Sequence, residues 1–391
     1  MCRVNRRILL IVCAAVVLLG AGYVVFRSVS KKGESSSASA SALRHAGTTS
    51  EGAHTGTDEP VTPDSKPDLR ADLDSAWKNL SAGGTPQHIR SLLDELAAKL
   101  RGMTVGQRTI AIRDFLDSRR DAKTRLPFAI ADGGLLDTAP SFRVWLLDQL
   151  GRANPDAAAT YAQTVLGTRE SADEWAVALR NFAKVRTAPA DVSYVNGKLR
   201  ELLNEPRWQS EQSAGWLESF DVAVHTRAVE LLPDLSRLLV RTGATDKPAA
   251  HASFLTMDRL VQSSPIETLG RLQSEPDLMK GRELTRANYF SRADVGNPQQ
   301  REIVERYILN PSLSPDELAK FAGLFPNANM MISRNLLTVS PTPSREHIVA
   351  GDREALRVVD EWTKDPRFER VRPSLQVIRQ RLAEFVRQTG E

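Results

Sequence analysis

The sequence predicts an all-α protein: stacked antiparallel helix pairs in a regular or irregular array, preceded by one N-terminal transmembrane helix. Three observations carry that prediction. Residues 8–26 form an uncharged apolar run. From about residue 70 onward, apolar positions recur at three- and four-residue spacing behind Ser, Thr and Pro helix-start signals. Candidate helix starts near 140, 155, 172 and 190 lie about 15 to 18 residues apart, a pair period of about 33 to 35 that suits stacked helical hairpins.

The apolar run has the length of one membrane span, since about 20 residues at 1.5 Å rise cross a hydrocarbon core near 30 Å. Arg3, Arg6 and Arg7 precede it within the short segment 1–7, and Arg27, Lys31 and Lys32 follow it. An uncleaved signal-anchor is favoured over a cleaved signal peptide, because the run is too long for a usual h-region and lacks a small-x-small cleavage site at its end. The expected topology is a single-pass membrane protein; in a bacterium this is the inner membrane, with the large domain on the periplasmic side. Residues 27–69 hold a basic juxtamembrane stretch and then Ser, Ala, Gly, Thr and Pro with few core-forming groups, which reads as a flexible linker.

Beyond the linker, two helical subdomains are expected, 70–243 and 244–391, divided at a softer junction around Thr242 to Ala250. Thr85 and Pro86 start a helix whose stripe is Ile89, Leu92, Leu93, Leu96 and Leu100, and Thr104 starts a second one through Ile112, Phe115 and Leu116. Near 125–138 the alternation Leu126, Phe128, Ile130 ahead of Asp132-Gly133-Gly134 predicts a short hairpin or ordered loop. Dense packing helices follow over Phe142 to Leu150 and Ala157 to Leu166. Ser171 with Glu174 matches a capping box ahead of Trp175, Ala178, Leu179 and Phe182. A helix over 191–203 ends before Pro206, and apolar positions continue from Val222 to Leu239. Ser314-Pro315-Asp316-Glu317 starts another helix, Met330 to Leu337 reads as the next packing face, and the last two helices span about 344–363 and 367–388.

Composition narrows function chiefly by exclusion. The 391 residues are 41% hydrophobic and 26% charged, which is globular. Cys2 and Cys13 are the only cysteines and both sit before or within the apolar run, so neither a disulfide framework nor a Cys-based zinc cluster is available to the large domain. The net charge of +4 is unevenly placed: +5 over 1–34, −2 over 35–70, and about +1 over 71–391. Whole-domain charge therefore gives no argument for nucleic acid as a partner, and none is expected.

No His-Glu-x-x-His, P-loop or Gly-x-Ser-x-Gly is present, so no metal, cofactor or catalytic residue is assigned and a non-enzymatic role is favoured. Asp114, Asp117 and Asp121, and likewise Asp360, Glu361 and Asp365, have basic neighbours and read as ion-pairing surfaces. An enzyme would have to assemble its groups from separate helices, with His347 beside Glu346 as one such candidate. Trp208 and Trp216 are spaced either to rim a groove or to pack between helices, and Arg119, Arg120, Lys123 and Arg125 form the clearest local basic patch, diluted by Asp114, Asp117 and Asp121. Trp208, Trp216, Arg119 and Arg120 make up the candidate interaction surface.

Consecutive amphipathic helices, short capped turns and the paired period make residues 70–388 similar in architecture to HEAT-like and related α-solenoid proteins, a resemblance that carries no functional residues with it. It implies an extended helical surface for a protein partner or for self-association. The expected function is a membrane-tethered protein-interaction or scaffold module, bound to the membrane through residues 8–26. The alternative is an envelope-associated helical hydrolase acting on peptide or glycan.

Overall fold

The computed structural model describes residues 69–389, apart from positions 242, 332, 340 and 341. The described elements fall in one compact unit, Ser65–Glu391. The order is α1 Leu69–Ala82, α2 Pro86–Arg101, α3 Val105–Asp117, β1 Ala129–Ile130, β2 Leu136–Thr138, α4 Phe142–Ala153, α5 Pro155–Val165, α6 Ala172–Val185, α7 Pro189–Asn204, α8 Pro206–Glu211, α9 Ala214–Glu218, α10 Asp221–His225 and α11 Leu232–Leu239. It continues with α12 Lys247–Ser263, α13 Pro265–Ser274, α14 Glu283–Phe290, α15 Pro298–Leu309, α16 Pro315–Leu324, α17 Arg345–Lys364 and α18 Arg372–Thr389. The architecture is all-α and multi-helical, with β1 and β2 as one small antiparallel pair.

The helix starts lie where the sequence predicts, although the capping box expected at Ser171 forms only its hydroxyl half, the Glu174 carboxylate being held by Arg143. Thr85, Thr104, Ser171, Ser314 and Ser344 each accept a hydrogen bond from the backbone N–H three residues on, satisfying one of the donors every helix leaves open at its N-terminus. Helices pack mainly on near neighbours in the chain: α5 on α6, α11 on α12, α14 on α16 and α17 on α18. One continuous core runs through them, from Leu69 in α1 to Leu382 in α18. The Asp132-Gly133-Gly134 turn forms as expected, with both glycines at positive φ, and Leu69, assigned to the linker from sequence, is buried as the first residue of α1.

Two expectations are corrected. The transmembrane helix placed at 8–26 is not among the helices found: among the described residues no helix is long and apolar enough to cross a membrane, and 8–26, like the linker before Leu69, lies outside them. Even the longest described helix, α17, buries only one face, with Val349, Ala355, Val358, Val359 and Trp362, and carries nine charged side chains elsewhere along its length. Single-pass topology, inner-membrane placement, the membrane as a partner and the membrane-tethered scaffold or envelope-hydrolase functions built on them are therefore withdrawn. The second correction concerns Met330 to Leu337. The described residues of 326–339 form a non-helical strap, not a helical packing face: Met331 is exposed, and among the described members of the group Leu336 alone is fully buried. Asn327, Asn329 and Asn335 favour turns; Asn327 Oδ1 accepts from the backbone N–H of Asn329, and Asn335 Nδ2 donates to the carbonyls of Ser333 and Thr338.

Candidate binding cleft

The most elaborate polar arrangement lies where the strap crosses α9, α10 and α12. Ser213 caps α9 through the N–H of Trp216, while its hydroxyl donates to Asp173 Oδ1 at 2.7 Å and Gly215 N donates to the same oxygen at 2.9 Å. A Cβ on Gly215 would come within 2.4 Å of that oxygen, so only glycine lets α9 approach α6 this closely. Burial pushes the Asp173 carboxyl up, against the lowering effect of those two donors. This docking turns Leu217, Glu218 and Asp221 toward α12.

Asp221 is a hub. It accepts from the backbone N–H groups of Leu337 at 2.7 Å and Thr338 at 3.0 Å, from the Thr338 hydroxyl, and from Arg259 at 2.8 Å. One carboxylate thereby fixes the distal end of the strap. The proximal end is held through Arg292, which donates to Asp258 at 2.6 Å and to the carbonyls of Asn327 and Asn329, and through Asn327 N, which donates to Ser291 O at 2.8 Å. Further along, Leu336 packs its backbone against Gly134, whose positive φ and missing side chain permit the contact: a Cβ there would sit 2.0 Å from Leu336 O. The strap thus ties the hairpin turn to α10 and α12.

Between its two anchors the strap borders a cleft of about 280 Å³. Leu217, Ala252, Leu255 and Met330 form an apolar wall, and Glu218, His251, Asp258 and Arg259 contribute polar groups. Asp221 and Asp258 are committed to arginines. Glu218 makes no hydrogen bond or ion pair with any described residue, and its carboxyl is raised by burial and by the charge of Asp221, with Arg259 pulling the other way. A second cavity of about 490 Å³ lies on the other side of the strap, shares Gln262 and Met330 with the first, and is lined by His347 and Asp352. Burial raises the Asp352 carboxyl there as well, and no hydrogen bond joins it to His347. The neighbouring Glu346 is exposed at the start of α17, where its own backbone N–H and Ser344 lower its carboxyl. Among the described residues no group of three or more His, Cys, Asp or Glu side chains is arranged to hold a metal ion.

The four residues expected to form an interaction surface are not brought together. Trp208 and Trp216 are 2% and 0% exposed, so neither rims a groove: Trp208 meets Trp175 edge-on at 5.1 Å, and Trp216 meets Phe220 at 5.0 Å while donating to Leu202 O. Arg120 is taken up internally, bonding Asp74 at 2.7 Å and lying over the rings of Trp77 and Phe115. Arg119 alone stands exposed, 3.8 Å from Glu170. The acidic clusters read as ion-pairing surfaces do pair: Asp114 with Arg70, Asp360 with Arg379, Glu361 with Arg301. Glu218 and Asp221 have no periodic or spacing signature; the one legible hint was the run of Asn and Pro between Phe325 and Ser344, which marks a non-helical crossing.

No protein-family model matches the chain, and no curated protein matches it. Among solved structures, a computationally designed self-assembling cyclic homo-oligomer aligns over 82% of this chain and 92% of its own, at 11% identity and a TM-score of 0.14, a likeness too slight to carry an argument.

Proposed function

We propose that the chain is a binding module and not an enzyme: an irregular α-solenoid of stacked helix pairs whose strap-bordered cleft receives a basic side chain on an extended segment of another polypeptide. The observation that carries this reading is Glu218, a half-buried carboxylate beside an apolar wall that makes no hydrogen bond or ion pair with any described residue and feels Arg259 only at a distance. Such a group is costly to leave unpaired, and an incoming ammonium or guanidinium would offset that cost while its aliphatic stem covers Leu217 and Leu255. The packing of each helix on its near neighbours supports the array, because it leaves helix edges and the strap as a continuous lateral surface. A non-catalytic role is supported by the commitment of Asp221 and Asp258, whose oxygens are taken up by Arg259, Arg292 and the donors around them instead of standing open to a substrate.

The test is fluorescence anisotropy of the full chain with labelled Ala-Leu-X-Leu-Ala peptides in which X is Lys, Arg, norleucine or Glu. Lys or Arg peptides should bind most tightly, and Glu218→Gln should remove that preference. Equal binding of all four, or a preference for Glu, would overturn the reading. A mass by light scattering that rises with concentration and falls on addition of the Lys peptide would make a second copy of the chain the partner.

A further inference from the structure

A second site, on the opposite half of the chain, stands independently of the strap-bordered cleft. The second half of α2, α3 as far as Ile112, the hairpin and α4 line a half-open cavity of about 610 Å³. Three arginines line it, one from each helix: Arg101, Arg108 and Arg152. Arg152 is internally satisfied, donating to Asp148 at 2.7 Å and to Leu136 O at 2.6 Å. The other two are not. Arg108 carries a buried Nε that makes no hydrogen bond; Arg101 is exposed at the mouth and makes no hydrogen bond or ion pair with any described residue.

Buried donors in folded proteins are nearly always matched, and one left open costs more when it belongs to a charged group. The carboxylates lining the cavity do not match these two: Asp94 is exposed and pairs with neither arginine, and Asp137 lies 3.9 Å from Arg90. The rest of the lining is apolar or neutral, with Leu100, Ile112, Leu135 and Trp145 on one side and Gln149 beside Arg152. A guanidinium offers a planar fork of donors that fits the paired oxygens of a carboxylate or a phosphoryl group.

We infer that this cavity binds a small organic anion, its carboxylate or phosphoryl oxygens on Arg101 and Arg108 and its apolar body against Ile112 and Leu135. The aperture is bounded by side chains of three helices and the hairpin, so the ligand is a small acid or phosphate ester and not a polymer surface.

Isothermal titration of the full chain with benzoate, phenyl phosphate and inorganic phosphate tests this. Saturable binding of benzoate or phenyl phosphate is expected, tighter than that of inorganic phosphate and weakening as salt is raised. Arg108→Gln should weaken it by about tenfold or more. Arg108→Lys, which keeps the charge and loses the fork, should weaken it as well, whereas Arg306→Gln, an exposed arginine paired with Glu302 on α15, should leave it unchanged. Arg101→Gln changes an exposed side chain and keeps the test valid if the Arg108 variants unfold. No saturable binding of either organic anion, or binding indifferent to both Arg101 and Arg108 substitutions, would overturn the assignment. Inorganic phosphate binding as tightly as its phenyl ester would do the same.

Discussion

The helix that starts at Thr104 and those that start at Ser171 and Ser314 share one local signature, a hydroxyl residue followed three positions later by Gln or Glu, yet they use the third side chain in opposite ways. At Thr104 the box closes: Gln107 N donates to the Thr104 hydroxyl, and Gln107 Oε1 accepts from Thr104 N at 3.1 Å. At Ser171 only the hydroxyl half forms. Glu174 turns inward and holds Arg143 by two parallel hydrogen bonds of 2.9 and 3.0 Å. At Ser314 the same happens, with Glu317 binding Arg286 at 2.7 and 2.8 Å and the Tyr307 hydroxyl at 2.8 Å.

Solvent decides between the two outcomes. Beside water, a side chain gains most by satisfying the nearest open backbone donor; under a packed layer, the strongest available partner is a guanidinium arriving from another helix. Burial opposes charge on both members of the Glu174–Arg143 pair. On Glu174 it prevails and raises the carboxyl, whereas on Arg143 the hydrogen bonds and charge of Glu174 outweigh it and raise the guanidinium.

The comparison can be broken by substitution. The largest effect is expected for Glu174→Ala, which strands Arg143 with only Leu116 O as partner: a loss of about 3–5 kcal/mol in urea unfolding at neutral pH. The double change Arg143→Met with Glu174→Leu should recover most of that loss. A deficit in the double variant as large as in the single one would show that packing, not the stranded charge, set the cost. Glu317→Ala should cost less, about 2–4 kcal/mol, because Arg286 keeps partial access to water. At the surface start, Thr104→Ala should cost about 1 kcal/mol. A Thr104→Ala loss matching that of Glu174→Ala would refute the distinction between the two kinds of start.

The smallest effect has the opposite sign. The folded state raises the Glu218 carboxyl, so it favours the protonated form. Stability from that group is present below the unfolded carboxyl pKa of about 4.3 and is lost as pH rises through the raised folded value. Glu218→Gln should therefore be neutral to slightly stabilising at neutral pH, with the difference from the parent chain shrinking as pH falls toward 4. A variant less stable than the parent at pH 7 would mean that Glu218 has a partner inside the fold.

Much of the helical frame was legible because its determinants are local. Thr85-Pro86, Thr104, Ser171 and Ser314 are read from a few residues, and the stripe Ile89, Leu93, Leu96, Leu100 buries as its spacing requires. The tryptophans show where periodicity stops informing: Trp208 and Trp216 sit in short helices, where no stripe separates an inner face from a rim. The strap escapes sequence patterning for a related reason. Met330, Met331, Ile332, Leu336 and Leu337 are apolar and closely spaced, but five apolar residues in two short runs among asparagines lack the sustained period that defines a helix. The two cavities had no signature at all, since Arg101 and Arg108, or Glu218 and Asp221, are ordinary charged residues until other elements close over them.

By itself the sequence determined the all-α class, the principal helix starts and the hairpin turn, because capping, propensity and glycine geometry act over a handful of neighbouring residues. Only the tertiary structure decided which charges are buried and which of those are matched. Asp221 meets Thr338 across 117 positions, Arg108 keeps a buried Nε without a hydrogen bond, and the half-buried Glu218 makes no hydrogen bond with any described residue. The physical reason is that the energy of a charged group depends on what displaces its water, and that is settled by chain segments far apart in sequence.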